Sequence, residues 1–241
     1  MTSCEQKRAM ITGASSGIGR ATALAMARAG ANVALVGRDR ARLEAVAREA
    51  TAANVEAKAY CLDLAHLEGV KAGMEAIAAD FGAIDILVNN AGMGYTRTLL
   101  ETPLNDWQQV IDLNLTSVFQ CIQALLPSMR DRGRGTIVNV ASIAAQTAFP
   151  NWGAYSVSKA GLVALTRALG VEERANGIRA IVISPGAVNT PIWETDTVDA
   201  DFDRSAMLTP EIVAQSILHA ALLPETAVIE ELTLMPGGGA L

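Results

Sequence analysis

Ser142, Tyr155 and Lys159 place a hydroxyl, a phenol and an ammonium close together in the chain. Ser142 follows an apolar run, Thr136-Ile-Val-Asn-Val-Ala141, with the composition of a buried strand. Tyr155 and Lys159 are four apart in a segment of helical pattern, so they share one face, one turn apart. Three such groups can meet at one point, and the chemistry they suit is protonation of a carbonyl oxygen or its reverse. A free phenol has a pKa of about 10, too high for efficient exchange near neutrality. An ammonium about 5 Å away, at an effective dielectric near 20, favours the phenolate by roughly 3 kcal/mol, or about two pKa units. The spacing therefore predicts a lowered Tyr155 pKa. Ser142 would hydrogen-bond the reacting oxygen and orient it.

Such groups need a scaffold, and the hydrophobic pattern supplies one. A strand over 8–12 runs into the turn Gly13-Ala-Ser15-Ser16-Gly17-Ile18-Gly19, and an Ala/Leu/Met-rich helix over 21–29 follows, closed by Gly30. Strand, glycine turn and helix together point helix N–H groups at a pyrophosphate. The spacing is G-x-x-x-G-x-G, and the glycines let backbone approach the phosphates. Alone, the same turn could be a tight turn with no ligand. Further strands are predicted over 32–36, 55–61, 84–88, 136–141, 178–183 and 228–235. Helices are predicted over 40–53, 66–81, 105–131, 152–175 and 209–223. The alternation predicts one α/β domain over 1–241: a Rossmann-type, doubly wound parallel sheet of about seven strands with helices on both faces.

Details at the strand ends bear on binding. Gly37 ends the second strand and Arg38 comes next, a guanidinium able to clamp a 2′-phosphate; Asp39 is read as the N-cap of the next helix, pointing away. NADP(H) is therefore expected over NAD(H), which stays possible; otherwise Arg38 is a solvated surface charge. Asn90, Ala91 and Gly92, after the fourth strand, are small enough for a ring or ribose to lie close to backbone. In 105–131 apolar residues run more than halfway round, so this helix is either deeply buried or meets another subunit. Asn114 is a polar residue inside it, either a helix-bending amide or a functional one. Residues 187–208 lack periodicity and are expected to form a flexible lid.

The totals narrow the classes. Of 241 residues, 51% are apolar, and the formal charge is -6 with no basic cluster, which argues against nucleic acid. No apolar run approaches the roughly 18 residues of a membrane helix, and the N-terminal residues lack a signal-peptide layout. Cys4, Cys61 and Cys121 read as buried, reduced thiols of a cytoplasmic protein. His66 and His219 are isolated, and no metal site is expected.

Taken together, Thr12-Gly-Ala-Ser-Ser-Gly-Ile-Gly19, Asp63, Asn89-Asn-Ala-Gly92, Asn114, Ser142, Tyr155-Ser-Val-Ser-Lys159 and Pro185-Gly186 with Thr190 resemble the short-chain dehydrogenases/reductases over nearly the whole chain. The resemblance implies NAD(P)(H), interconversion of carbonyl and alcohol, and frequent tetramers (or dimers) built through the two long middle helices and the C-terminal segment. It implies catalytic roles for Asn114, Ser142, Tyr155 and Lys159, with Lys159 also bonding the nicotinamide ribose and Asn114 holding a water that links Lys159 to solvent. Cofactor contacts are implied for the glycine turn, Asp63, Leu64, Asn90, Ala91, Gly92, Tyr155, Lys159, Pro185, Gly186, Val188 and Thr190. The tail Glu230-Glu-Leu-Thr-Leu-Met-Pro236 lacks the ending common in 3-oxoacyl-carrier-protein reductases and looks more like an NADP-dependent subgroup acting on small hydroxy acids, aldehydes and alcohols.

Three functions compete: reduction of a small carbonyl compound, reduction of a 3-oxoacyl carrier protein, and dinucleotide binding without turnover in a regulatory protein. The five acids between Glu194 and Asp203 would repel an acidic carrier protein. A regulatory protein would be free to lose its catalytic residues, and all four are present. Met93, Ala144, Phe149, Trp152 and Trp193, close in sequence to the motifs, are expected to line a largely apolar substrate pocket.

Overall fold

The computed structural model describes Cys4 and residues 7–200 and 203–239. Seven parallel strands form one sheet in the order β3-β2-β1-β4-β5-β6-β7. They are β1 Arg8–Thr12, β2 Asn32–Gly37, β3 Ala57–Cys61, β4 Ile86–Asn89, β5 Gly135–Val140, β6 Ile178–Pro185 and β7 Glu231–Leu234. The helices are α1 Gly17–Arg28, α2 Arg40–Thr51, α3 Leu67–Phe81, α4 Leu104–Ile111, α5 Ser117–Asp131, α6 Gly153–Glu173 and α7 Pro210–Ala221. This is the doubly wound α/β architecture that the alternation predicts. Alternate residues of each strand face opposite sides. Ile11, Leu35 and Val138 pack under α1, α2 and α7, whereas Met10, Leu87 and Ile137 pack under α3, α5 and α6. Central strands buried on both faces explain the near-continuous apolar runs of β4 and β6. The strand order reverses between β1 and β4, which opens a crevice at their C-terminal ends.

The helix expected over 105–131 is two α-helices joined by a π turn, Asp112–Thr116. One extra residue in a turn rotates the downstream helix by about 100°. Val110 therefore packs with Tyr95 and Ala154, while Val118, Ile122, Leu125 and Met129 join the main core. Two apolar faces, one on each side of the turn, account for apolar residues running more than halfway round. By length and composition Leu104–Asp131 is apolar enough to cross a membrane, which the expectation from uninterrupted runs missed. Here its inner face packs on α3 and α6 as part of the core, and Phe119 on its outer face is 44% exposed.

Other expectations change at the surface. Cys61 is exposed, because β3 is an edge strand; Cys4 and Cys121 are buried, and all three thiols are unpaired. His66 is not isolated, since its Nδ1 lies 3.4 Å from Asp63 Oδ2. The stretch expected as a flexible lid contains two short 3-10 turns, Pro191–Glu194 and Arg204–Ala206, and is tied to the body by hydrogen bonds described below. Asp201, among the acids counted there, lies outside the described residues.

Candidate active site

The turn after β1 is fixed to the end of β4 by one hydroxyl and one amide. Thr12 Oγ1 accepts from Asn90 N and Ala91 N, both at 3.0 Å, and Asn90 Nδ2 donates back to Thr12 O at 3.0 Å. The fit leaves no room for side chains. A Cβ on Gly13 would lie 2.8 Å from Asn90 Nδ2, and one on Gly19 would collide with the carbonyl oxygen of Gly13. Gly13 and Gly17 have φ of +65° and +51°, where a side chain would also be strained. Ser16, the N-cap of α1, makes no side-chain capping bond, so the first N–H groups remain for an anion. Half-buried Ser15 and Ile18 flank this turn. A bare-backbone cradle under an uncapped helix start fits the pyrophosphate of a dinucleotide.

Further along the same edge, Asp39 caps α2, accepting from Arg42 N at 3.0 Å and pairing with Arg42 Nε at 3.2 Å. Its carboxylate is thus occupied, as expected from its place before a helix. Arg38 beside it is exposed. Asp63 Oδ1 accepts from Ala65 N at 3.0 Å, and the Leu64 side chain is buried in the core. A Cβ on Gly92 would meet Asn114 Oδ1 at 3.0 Å and Lys159 Nζ at 3.5 Å, so Gly92 lets these groups approach the edge of β4. Pro185 and Val188 are buried, and Gly186 N donates to Leu234 O at 2.8 Å. Thr190 Cγ2 lies 3.1 Å from the space a Gly17 Cβ would take, so Thr190 seats over the cradle.

Ser142, Tyr155 and Lys159 come together where β5 and α6 meet. Lys159 Nζ donates to Val140 O at 2.9 Å and lies 5.8 Å from the centre of the Tyr155 ring. Ser142 Oγ accepts from Ala144 N at 3.1 Å and hydrogen-bonds the Tyr155 phenol. Burial lowers the Lys159 pKa from 10.5 to about 8. Burial also pushes the Tyr155 phenol up, opposed by its hydrogen bond to Ser142. The expected lowering of Tyr155 is therefore not found in the protein alone. Desolvation, which spacing along a helix does not report, is the dominant influence on the phenol here.

Asn114 sits in the π turn, fully buried. Its Oδ1 accepts from Met93 N at 2.8 Å, and its Nδ2 donates to Met93 O and Ser158 Oγ, each at 3.0 Å. Both amide hydrogens are used, so the side chain links the segment after β4 to α6. Ser158, which the sequence reading passed over, donates in turn to Tyr155 O at 2.7 Å. The available signal was its position three residues after Tyr155 on the same helical face.

Beside Tyr155, Trp152 packs edge-on against its ring (5.2 Å between ring centres) and against Trp193 (5.8 Å). Trp193 Nε1 donates to Val188 O at 2.7 Å. Ala144 is buried, and Met93 packs with Tyr95 and Val110 in the small cluster. Phe149 accepts at its carbonyl from Trp152 N at 3.3 Å, but among the described residues its ring pairs with none of these aromatics. The strip Gly94–Arg97, between loop and lid, carries no motif that marks it in the sequence. Thr197 Oγ1 donates to Gly94 O at 2.8 Å, Asp199 N to Thr96 Oγ1 at 2.7 Å, and Arg97 N to Asn151 O at 2.7 Å. No signal in the sequence pairs residues so far apart.

Comparison with known proteins is consistent with this arrangement. A family model described as short chain dehydrogenase matches residues 7–201. An oxidoreductase of Staphylococcus saprophyticus is 36% identical over 239 residues, covering 98% of this chain and 100% of that one. A 3-oxoacyl-[acyl-carrier-protein] reductase of Synechocystis sp. is 35% identical over 243 residues, covering 99% and 98%. The solved structure of an alcohol dehydrogenase from Thermococcus sibiricus, in complex with 5-hydroxy-NADP, superposes with a TM-score of 0.88 at 32% identity and 97% coverage of both chains.

Proposed function

Because the chain belongs to the short-chain dehydrogenase family, a family of NAD(P)-dependent oxidoreductases, we propose that it interconverts a small carbonyl compound and its alcohol with NADP(H). The observation that carries this reading is the meeting of Ser142, Tyr155 and Lys159 beside a cradle with no space for a Cβ. The glycine turn and the start of α1 would hold the pyrophosphate, and Asn90, Ala91, Gly92, Pro185, Gly186, Val188 and Thr190 the nicotinamide end. Arg38 would take the 2′-phosphate; the occupied carboxylate of Asp39 and the NADP derivative carried by the Thermococcus relative support that choice. When bound, the cofactor supplies or accepts the hydride.

The rest is work for the protein. Ser142 orients the substrate oxygen and Tyr155 exchanges its proton. Lys159, with a pKa of about 8, is charged at neutral pH and, 5.8 Å from the centre of the Tyr155 ring, would favour the phenolate. Asn114, through Ser158, holds the helix turn that carries Tyr155. Trp152, Trp193 and Met93 give the substrate a flat, apolar wall. Self-association through α5 and α6 belongs to the same reading, supported by Phe119 and Val157, 44% and 48% exposed. A cytoplasmic setting is supported by three unpaired thiols.

A second reading, a 3-oxoacyl-carrier-protein reductase, is favoured by the Synechocystis relative and opposed by the acidic residues Glu194, Asp196 and Asp199 near the mouth. NADPH consumption against aldehydes, ketones, hydroxy acids run in reverse, and an acetoacetyl carrier protein separates the two. Turnover of the small compounds with none of the carrier substrate is expected. A preference for the carrier substrate would replace the first reading with the second, and binding of NADPH without turnover of any substrate would favour a regulatory role.

A further inference from the structure

Arg204 lies in an otherwise acidic stretch, with Glu194, Asp196, Asp199 and Asp203 before it. Its donors go mainly to neutral acceptors. Nε and Nη2 both donate to Asn189 Oδ1, at 2.9 and 2.6 Å, and Nη2 also reaches Thr190 O at 3.1 Å. Glu194 Oε1 is more distant, at 3.4 Å. The arginine side chain is only 34% exposed, so these bonds are partly shielded from water.

What Arg204 holds has two faces. Thr190 seats its methyl over Gly17 in the cradle. The same Thr190 carbonyl accepts from Trp193 N at 3.4 Å, and Trp193 packs on Trp152 beside Tyr155. The backbone beneath is paired as well: Asn189 N donates to Leu208 O and Leu208 N to Ala187 O, both at 2.9 Å. Segment 187–190 is thus pinned between the glycine turn and residues 204–208, and Arg204 is a side chain that joins the two.

We propose that Arg204 is a positioning residue that holds Thr190 over the dinucleotide cradle and Trp193 against the substrate wall at once. It acts through Asn189 and Thr190 on the site, so its loss weakens cofactor binding first and substrate binding second, with a smaller effect on the bound complex's turnover. This rests on the function proposed above. The forked guanidinium suits the task, because a lysine ammonium lacks the fixed geometry to hold both acceptors together.

The test uses the full chain and NADPH fluorescence for direct binding, with melting temperature and steady-state kinetics alongside. Arg204→Ala should raise the NADPH dissociation constant about tenfold, as expected for lost hydrogen bonds from a charged group. Arg204→Lys should recover part of that affinity. The cofactor KM should rise while kcat stays within about threefold of the native value. Asn189→Ala removes the shared acceptor, leaves Arg204 in place and should raise the constant about threefold; it decides the matter if Arg204→Ala does not fold. Native-like NADPH affinity in Arg204→Ala, or in Asn189→Ala where that variant decides, overturns the inference, as does a falling kcat with unchanged binding. If the native chain binds neither NADPH nor NADH, the proposed function falls and this inference with it. If the native chain binds and the variants bind equally well, only this inference falls.

Discussion

Around the turn after β1 the wall of the cleft is backbone. Gly13, Gly19 and Gly92 leave no space where a Cβ would go, and Thr12 and Asn90 tie main chain to main chain. Across the cleft the wall is side chain: Trp152 against Tyr155 and Trp193, with Thr197 and Asp199 reaching over to Gly94 and Thr96. A backbone wall fits one shape and tolerates almost no substitution. A side-chain wall can be re-cut one residue at a time. On the function proposed above, the difference divides what would fix the cofactor and reaction from what would select the substrate, with Tyr155 at the seam.

Changes on the two sides should therefore behave differently, and the seam should be the most sensitive point. Tyr155→Phe should lower turnover about 10³-fold, the scale of a lost general acid, with the NADPH dissociation constant within about threefold of native. A variant keeping a tenth of the native rate would contradict the assignment. On the backbone wall, Gly19→Ala forces a methyl into the Gly13 carbonyl. NADPH affinity should fall about 100-fold and stability by about 1–3 kcal/mol; calorimetric binding and melting curves close to native would show that the cradle can yield.

Between the walls lies Lys159, whose pKa is about 8 in the folded protein against an ordinary value of 10.5. Between those values the unfolded chain still holds a proton that the folded chain has released. Stability from this group is thus least below about pH 8 and rises towards pH 10.5. Denaturant titrations of the cofactor-free protein at pH 7 and pH 10 should show the native chain gaining roughly 1–3 kcal/mol relative to Lys159→Met. Equal pH dependence in both would mean that burial does not strain the ammonium.

Smaller effects should mark the rims. Arg38→Asp should shift the ratio of kcat/KM for NADPH over NADH by about tenfold or more towards NADH; an unchanged ratio removes Arg38 from cofactor choice. Trp193→Ala should raise the substrate KM about fivefold, with NADPH affinity within about twofold. If its NADPH affinity fell as far as that of Gly19→Ala, the contrast between the walls would fail.

The same division explains what could be read from the chain. The cradle was legible because its parts are neighbours in sequence: a strand, three glycines, a helix, then Asp39 in front of α2. Strand alternation likewise gave the sheet, since burial on two faces leaves a local trace. The substrate wall was not legible in the same way. Thr96 and Asp199 are bonded across 103 positions, and neither belongs to a periodic pattern. The direction of the Tyr155 shift was missed because it depends on burial, which spacing on a helix does not report. The π turn left no mark in propensity, although it decides which faces of the helix meet the core.

That turn also constrains the chain in number as well as in kind. A substitution within Asp112–Thr116 alters the contacts of one side chain. A change of one residue in its length would re-aim all of α5 by about 100°, turning Val118, Ile122 and Leu125 away from the core and Asn114 away from Met93 and Ser158. For this helix the count of residues between Val110 and Val118 carries as much structural information as their identities.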